Sequence, residues 1–258
     1  MLSINRFALA LAIVAPSAAT LAQVLPSVAV DSVAASLLEH RFSAMVVGPV
    51  APPWRVVGLP GQKMPLTRFA IVRDGETPVL RMQADASYGN LVFDADGIRL
   101  PASAVLRWRW QLERAPSGAD LRRKDGDDAP LKVCALFDMP LQGMSFGEQT
   151  RMRLARAVSG EALPSATLCY VWDAKLPTGS ALQNVYSARV RYLVVSHGPA
   201  RTGQWVAVER NLASDFMAAF GHETAVLPPL LALAVGADTD NTGSASLSYV
   251  GDLRLSVP

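Results

Sequence analysis

Val105-Leu-Arg-Trp-Arg-Trp-Gln-Leu112 decides the fold class. Successive side chains on a strand point to opposite faces, so Leu106, Trp108, Trp110 and Leu112 share one face and Val105, Arg107, Arg109 and Gln111 the other. One face is built for a core and the other is cationic. The same split recurs over 188–194, where Val190, Tyr192 and Val194 oppose Arg189 and Arg191, and Lys132 joins the cationic set. Outward from these two segments, the chain reads as short runs over 68–72, 79–84, 90–93, 104–112, 131–138, 166–172, 188–196, 204–210, 230–236 and 247–256. Turn chemistry separates them, including Asp74-Gly75, Asp96-Gly97, Pro177-Thr-Gly179 and Thr242-Gly243. Such spacing predicts an all-β chain, an antiparallel jelly-roll-like β-sandwich rather than βαβ units. Two short helices interrupt it. Ser145-Phe-Gly-Glu148 has capping-box spacing and starts a helix over 145–159 with Gly160 placed to end it; a second runs over 214–220 and closes at Gly221. Residues 37–45 suit either a helix start or the lead into a first strand.

The composition excludes whole classes. Half of the 258 residues are hydrophobic and 18% are charged, with a net charge of +2, so the chain is neither disordered nor a strongly basic nucleic-acid binder. At the start, Arg6 precedes an apolar run over 7–15, and Thr20-Leu21-Ala22 offers small residues to a signal peptidase. The run is shorter than the roughly 20 residues that span a bilayer, which favours a cleaved leader over a retained anchor. The expectation is a signal peptide over 1–22 and one β-sandwich domain over 23–258, exported to the periplasm or secreted. The later apolar segment 227–235 is short and carries Pro228 and Pro229, so no span remains after cleavage. Cys134 and Cys169 sit in similar frames, Lys-Val-Cys-Ala-Leu-Phe-Asp and Thr-Leu-Cys-Tyr-Val-Trp-Asp. They are either bridged, as an oxidising compartment allows, or two buried thiols acting as small hydrophobes. Two cysteines alone do not make a zinc site.

A set of motifs in fixed order carries a family resemblance. It comprises Leu106-Arg-Trp-Arg-Trp110, Lys124-Asp-Gly-Asp-Asp128 with Lys132-Val133 and Phe137-Asp138, Cys169-Tyr-Val-Trp172, Val208-Glu-Arg-Asn211 with Asp215 and Phe220-Gly221, and Asp238-Thr-Asp-Asn-Thr-Gly243 with Tyr249 and Gly251-Asp252. Over 42–256 the chain resembles the exported bacterial family known as domain of unknown function 3047. The family shows Arg where this chain carries Lys132, which removes a planar fork there. The resemblance implies an exported β-rich domain and transfers no catalytic residue; its layout is similar to sandwiches of the carbohydrate-binding and concanavalin-like kind, by fold analogy alone.

Catalytic signatures are sparse. There is no Gly-x-Ser-x-Gly elbow, no Walker loop and no dinucleotide fingerprint, and His40, His197 and His222 lack metal-binding spacing. Asp125, Asp127 and Asp128 crowd one loop; they would act as glycosidase carboxylates only with a partner such as Asp138 or Asp173, and otherwise pair with Arg107, Arg109 or Arg210. Trp108 and Trp110 read as core, whereas Trp54 and Trp205 lie near turns and suit either an exposed face or a partly buried edge. The leading expectation is a non-catalytic glycan-binding domain. Arg107, Arg109, Arg189 and Arg191 would present a cationic face to an anionic polysaccharide, with Asp127 and Asp128 as further ligand contacts. The alternatives are a polysaccharide hydrolase or lyase using the acidic loop, and an envelope structural or protein-interaction domain. No cofactor is indicated apart from calcium. Asp238 and Asp240 with Thr242-Gly243 have the spacing of a calcium loop, but Tyr249 stands where an EF-hand carries its bidentate Glu. The competing account is a hairpin capped by Asp240 and Asn241, with Gly243 at positive φ.

Overall fold

The structure, a computed structural model, is described for residues 35–59, 61, 64–159, 163–199 and 203–257. The leader expected over 1–22 and Gly160 lie outside the described residues. In chain order the strands are β1 (Ala35–His40), β2 (Arg55–Val57), β3 (Arg68–Asp74), β4 (Thr77–Asp85), β5 (Tyr88–Ile98), β6 (Val105–Arg114), β7 (Lys132–Phe137), β8 (Ala166–Asp173), β9 (Ala181–Gln183), β10 (Val190–His197), β11 (Val206–Asn211), β12 (Leu230–Asp238), β13 (Ala245–Val250) and β14 (Leu253–Val257). Helix α1 (Phe146–Ser159) joins β7 to β8, and α2 (Leu212–Phe220) follows β11.

The strands form two packed sheets, as the alternation of β6 predicts. The first runs β1-β14-β6-β13-β4-β3 with β11 also on β6, and the second runs β2-β5-β12-β7-β8-β10-β9. Pairing is antiparallel except between β8 and β10. After β8 the chain lays down β9 at the edge and doubles back into β10, so β10 runs with β8 and against β9.

Trp108 and Trp110 are buried between the sheets, at 5.2 Å from Tyr170 and 6.2 Å from Trp172 respectively. Trp110 Nε1 donates to Ser196 Oγ at 3.0 Å and Trp172 Nε1 to the Gly198 carbonyl at 2.9 Å, whereas Trp108 Nε1 is buried without a partner. Trp54 is buried as well, beside Phe42 and Phe93, whereas Trp205 stays partly exposed and donates to Asp74 at 2.7 Å. Helix α2 closes one part of the core, with Phe216 4.6 Å from Phe137. Its cap is Asn211, whose side chain accepts from Ser214 N at 2.7 Å, so the helix starts two residues before the predicted position. The capping box of α1 forms: Glu148 accepts from Ser145 N at 3.2 Å and Ser145 Oγ from Glu148 N at 3.4 Å.

Two local expectations change. The segment 37–45 resolves into β1 and a short 3₁₀ turn over Phe42–Ala44. The single run expected over 247–256 is two strands, β13 and β14, and Arg109 crosses Gly251 between them, where a Cβ would meet Arg109 Cγ at 2.6 Å. Asp252 leaves the strand line to accept from Ser43 N and Oγ at 2.8 and 2.6 Å. Among the described residues, no helix is long and apolar enough to cross a membrane.

Candidate functional site

The second sheet has a face that the first sheet does not cover, and its character follows from strand periodicity. On β7, Val133, Ala135 and Phe137 enter the main core, while Lys132, Cys134 and Leu136 point the other way. The register aligns these outward positions in rows across the sheet. Val92, Ala234, Cys134, Cys169 and Tyr192 make one row; Asn90, Gly236 and Lys132 make the next; Tyr88 and Asp238 pair beyond it. Small residues in the middle, Ala234 and Gly236, with tyrosines around them, leave a hollow. The result is a cleft of about 730 Å³ walled by 57–59, by the loop before β7 and by the turn between β9 and β10. A second hollow of about 620 Å³ shares Val57, Val92 and Leu136 with it and continues toward Asp94 and Asp96. The two together make an elongated groove.

Gly236 is where this arrangement is tightest. A Cβ on it would lie 2.2 Å from Asn90 Oδ1 and 2.8 Å from Lys132 Cε. Both are flexible ends, so Gly236→Ala is expected to keep the sandwich but push Lys132 off its partner, costing about 2–4 kcal/mol through the disturbed buried pair. Urea unfolding checks this; a loss under about 0.5 kcal/mol would show that the crossing is not needed.

The polar groups of the cleft are interlocked. Lys132 Nζ donates to Asp238 Oδ1 at 2.9 Å, with both side chains buried, and lies 4.9 Å from the centroid of the Tyr88 ring. Burial opposes the charge on Lys132, yet the Asp238 carboxylate raises its pKa overall. Burial, helped by Asp128 and Asp240, pushes Asp238 up to about 6 against the pull of Lys132, so the pair is ionic at neutral pH. Asp127 is pushed up to about 6, mainly by burial. Its Oδ2 accepts from Asn184 Nδ2 at 2.6 Å, and its Oδ1 is buried without a donor. Asn184 Nδ2 also reaches Tyr192 Oη at 2.9 Å, and its Oδ1 accepts from Tyr186 N and Ser187 N, which fixes the turn between β9 and β10 against the cleft. Tyr186 stands at the rim, 59% exposed, its hydroxyl 2.8 Å from the Lys124 carbonyl and from Asn241 Oδ1.

The segment 238–243 is not a hairpin, since β12 and β13 belong to different sheets. Gly243 has φ of 63°, as expected for the turn. The cap comes from elsewhere: Asp128 accepts from Asn241 N at 3.0 Å and from Thr242 N and Oγ1 at 2.9 and 2.5 Å. Asp240 and Asn241 therefore do not cap the turn as proposed from the sequence. Carboxylate oxygens of Asp128, Asp238 and Asp240 lie within 4.8 Å of one another.

The expected arginine face does not form. Arg107 and Arg109 lie on the first sheet, where Arg107 bonds Glu209 across the β6–β11 register at 2.9 Å and Arg109 lies 4.5 Å from the centroid of the Trp205 ring. Arg191 lies on β10 of the second sheet and Arg189 in the turn just before it; the two share Glu223, with Arg189 at 2.5 Å, and Arg191 also donates to the Ala219 carbonyl of α2 and covers Phe220. Alternation orients a residue relative to its own strand, and these strands turn their arginines to different surroundings. The acidic loop does not pair with Arg107, Arg109 or Arg210 either. Asp125 takes Arg123 at 3.0 Å, Arg210 takes Asp215 at 2.8 Å, and Lys132 is a cleft residue rather than a member of any cationic face. Asp127, Asp238 and Asp240 line the cleft, and Asp128 converges with the last two. Cys134 and Cys169 face each other in register and are joined by a disulfide on the cleft floor, so the bridged alternative is the one found. Tyr88, Asn90, Asn184, Tyr186 and Tyr192 went unnoticed in the sequence as site residues; the usable signal was Lys132 and Asn90 standing at outward positions of otherwise apolar strands.

The profile of the family described as "Protein of unknown function (DUF3047)" matches residues 52–254. No curated protein matches the chain. Among solved structures, the chain is similar to Trichoderma harzianum endoglucanase 3 from family GH12, at 11% identity and a TM-score of 0.40, covering 86% of this chain and 97% of that one. It is also similar to the CBM22-1–GH10 modules of Clostridium thermocellum endo-1,4-beta-D-xylanase 10B, solved with xylohexaose, at 12% identity and a TM-score of 0.35. That likeness covers 87% of this chain and 28% of the xylanase chain.

Proposed function

Because the chain belongs to the family described as a protein of unknown function (DUF3047), its function must be read from the cleft, and we propose that the cleft binds a neutral glycan segment without cleaving it. The observation that carries this reading is the convergence of Tyr88, Asn90, Asn184, Tyr186 and Tyr192 around an apolar floor in an elongated groove. A sugar offers hydroxyls that both donate and accept, together with apolar C–H faces, and such a lining matches both. Neutral sugars are favoured over anionic ones. Asp127, Asp238 and Asp240 line the cleft, and the buried ammonium of Lys132 is already committed to Asp238. The disulfide on the cleft floor supports an oxidising compartment, in keeping with an exported, periplasmic protein.

One observation favours a second reading. Asp127, with a pKa near 6 and one oxygen without a donor, resembles the proton-donating carboxyl of a glycoside hydrolase. A neutral-glycan array followed by titration separates the two. The binding reading predicts retention of neutral oligosaccharides, about a tenfold weaker affinity for Tyr186→Ala, and no reducing ends released by the wild type or by Asp127→Asn. Turnover that Asp127→Asn lowers by about 100-fold or more would move the assignment to hydrolysis. Retention of no neutral glycan would end both readings.

A further inference from the structure

We propose that a divalent cation of the calcium type binds in the cleft wall between Asp128, Asp238 and Asp240, a site that stands independently of the glycan reading. The three carboxyl groups already converge within 4.8 Å, and Asp128 and Asp238 are only 1% and 3% exposed. Charge counting shows what the wall lacks. Asp127, Asp128, Asp238 and Asp240 bring four negative charges and Lys132 one positive, a net charge of −3 in a region largely shut from water. A divalent ion reduces this to −1 without displacing Lys132, which stays on Asp238 Oδ1 with Ala129 N.

A second observation is independent of the cluster itself. Asp127 is 5% exposed and lines the same cleft; while its Oδ2 takes Asn184, its Oδ1 is buried with no donor. Asp240 Oδ1 is likewise buried and without a donor. A buried acceptor without a partner costs about 1–3 kcal/mol, and native structures resolve such groups with water or an ion. Asp240 belongs to the converged carboxylates, and Asp127 faces the charges of two of them, Asp238 and Asp128, from the same cleft. The division of labour follows from the bonds already made. Asp128 spends its oxygens on Asn241 and Thr242, so it mainly holds the 238–243 turn in place and adds one edge to the site. Asp238 turns its second oxygen to the ion, the unpartnered oxygen of Asp240 completes the protein's share, and Asp127 adds its charge from the same cleft. Oxygen-only donors select hard cations over zinc or copper, and a site assembled from two loops suits the adaptable coordination of calcium better than the strict octahedron of magnesium.

The test uses the full chain with calcium chloride alone as probe, in melts and calorimetric titrations against chelator. At a calcium concentration about 100-fold above Kd, the melting temperature is expected to rise by about 5 °C, with a smaller rise in magnesium. Asp240→Asn should keep its melting temperature in chelator within a few degrees and lose most of the calcium shift, because Asp240 is only half-buried. Terbium luminescence sensitised by the neighbouring Tyr88 and Tyr192 reads the same site in the wild type without relying on any variant. Coincident melts in calcium and chelator with no binding heat and no terbium signal overturn the proposal, as does a calcium shift that Asp240→Asn leaves intact. Glycan retention on the array is scored separately, so either reading can fail alone.

Discussion

Lys132→Met is expected to lower stability by about 3–5 kcal/mol at pH 7.5, and by much less at pH 5. Methionine keeps much of the side chain's volume, so the loss reports on charge rather than on a cavity. In the native protein both members of the Lys132–Asp238 pair are buried, and removing the ammonium leaves Asp238 charged beside Asp128 and Asp240. Asp238 already has its pKa pushed up to about 6 by burial, and without Lys132 it rises further. A carboxyl with a higher pKa in the folded than in the unfolded state binds its proton preferentially when folded, so stability falls as pH rises through the interval between the two values. That interval starts near the ordinary aspartate value of about 4 and extends beyond 6 in the variant. The deficit therefore grows from acid to neutral pH. Urea unfolding at both pH values, in chelator, measures it. An equal loss at pH 5 and 7.5 would assign Lys132 a packing role instead.

Replacing both cysteines, Cys134→Ala with Cys169→Ala, is expected to cost about 3–4 kcal/mol, the loop-closure value for a bridge spanning 35 residues. The bridge clips β7 to β8 across the connection that carries α1, and it lies on the cleft floor. Beyond the global loss, faster amide exchange is expected at Ala135 and Leu168, next to the bridged pair in register. A global loss below about 1 kcal/mol with unchanged exchange would show that strand pairing alone fixes the floor.

How far the sequence carries depends on the range of each interaction. The alternation in β6 is local, and it correctly places Trp108 and Trp110 in the core. The capping box of α1 is local too, and it forms as read. The edge strands β2 and β9, at three residues each, were not anticipated, since so short a segment shows no periodicity of its own. The reading from sequence groups Lys132 with the arginines by charge, yet it lies on the cleft face with Tyr192, opposite to Arg191, and the carboxylate that defines it lies 106 residues away. Asp127 meets Asn184 across 57 residues, and the cap of the 238–243 turn comes from Asp128, 113 residues from Asn241. Local spacing favoured Asp240 and Asn241 for that cap because it sees only neighbours in sequence. Likewise, phase within a strand placed Arg107, Arg109, Arg189 and Arg191 correctly against their own apolar partners, but only the tertiary fold determines that they lie on two sheets with different acids.

The most direct test of the central claim, that the uncovered face of the second sheet is a glycan site, is an amide NMR titration of the full chain with soluble neutral oligosaccharides. Progressive, saturable shifts are expected at Asn90, Asn184, Tyr186 and Tyr192, with the β6 positions Arg107 and Arg109 unmoved. Shifts confined to the first sheet, or none with any neutral oligosaccharide, would contradict the assignment.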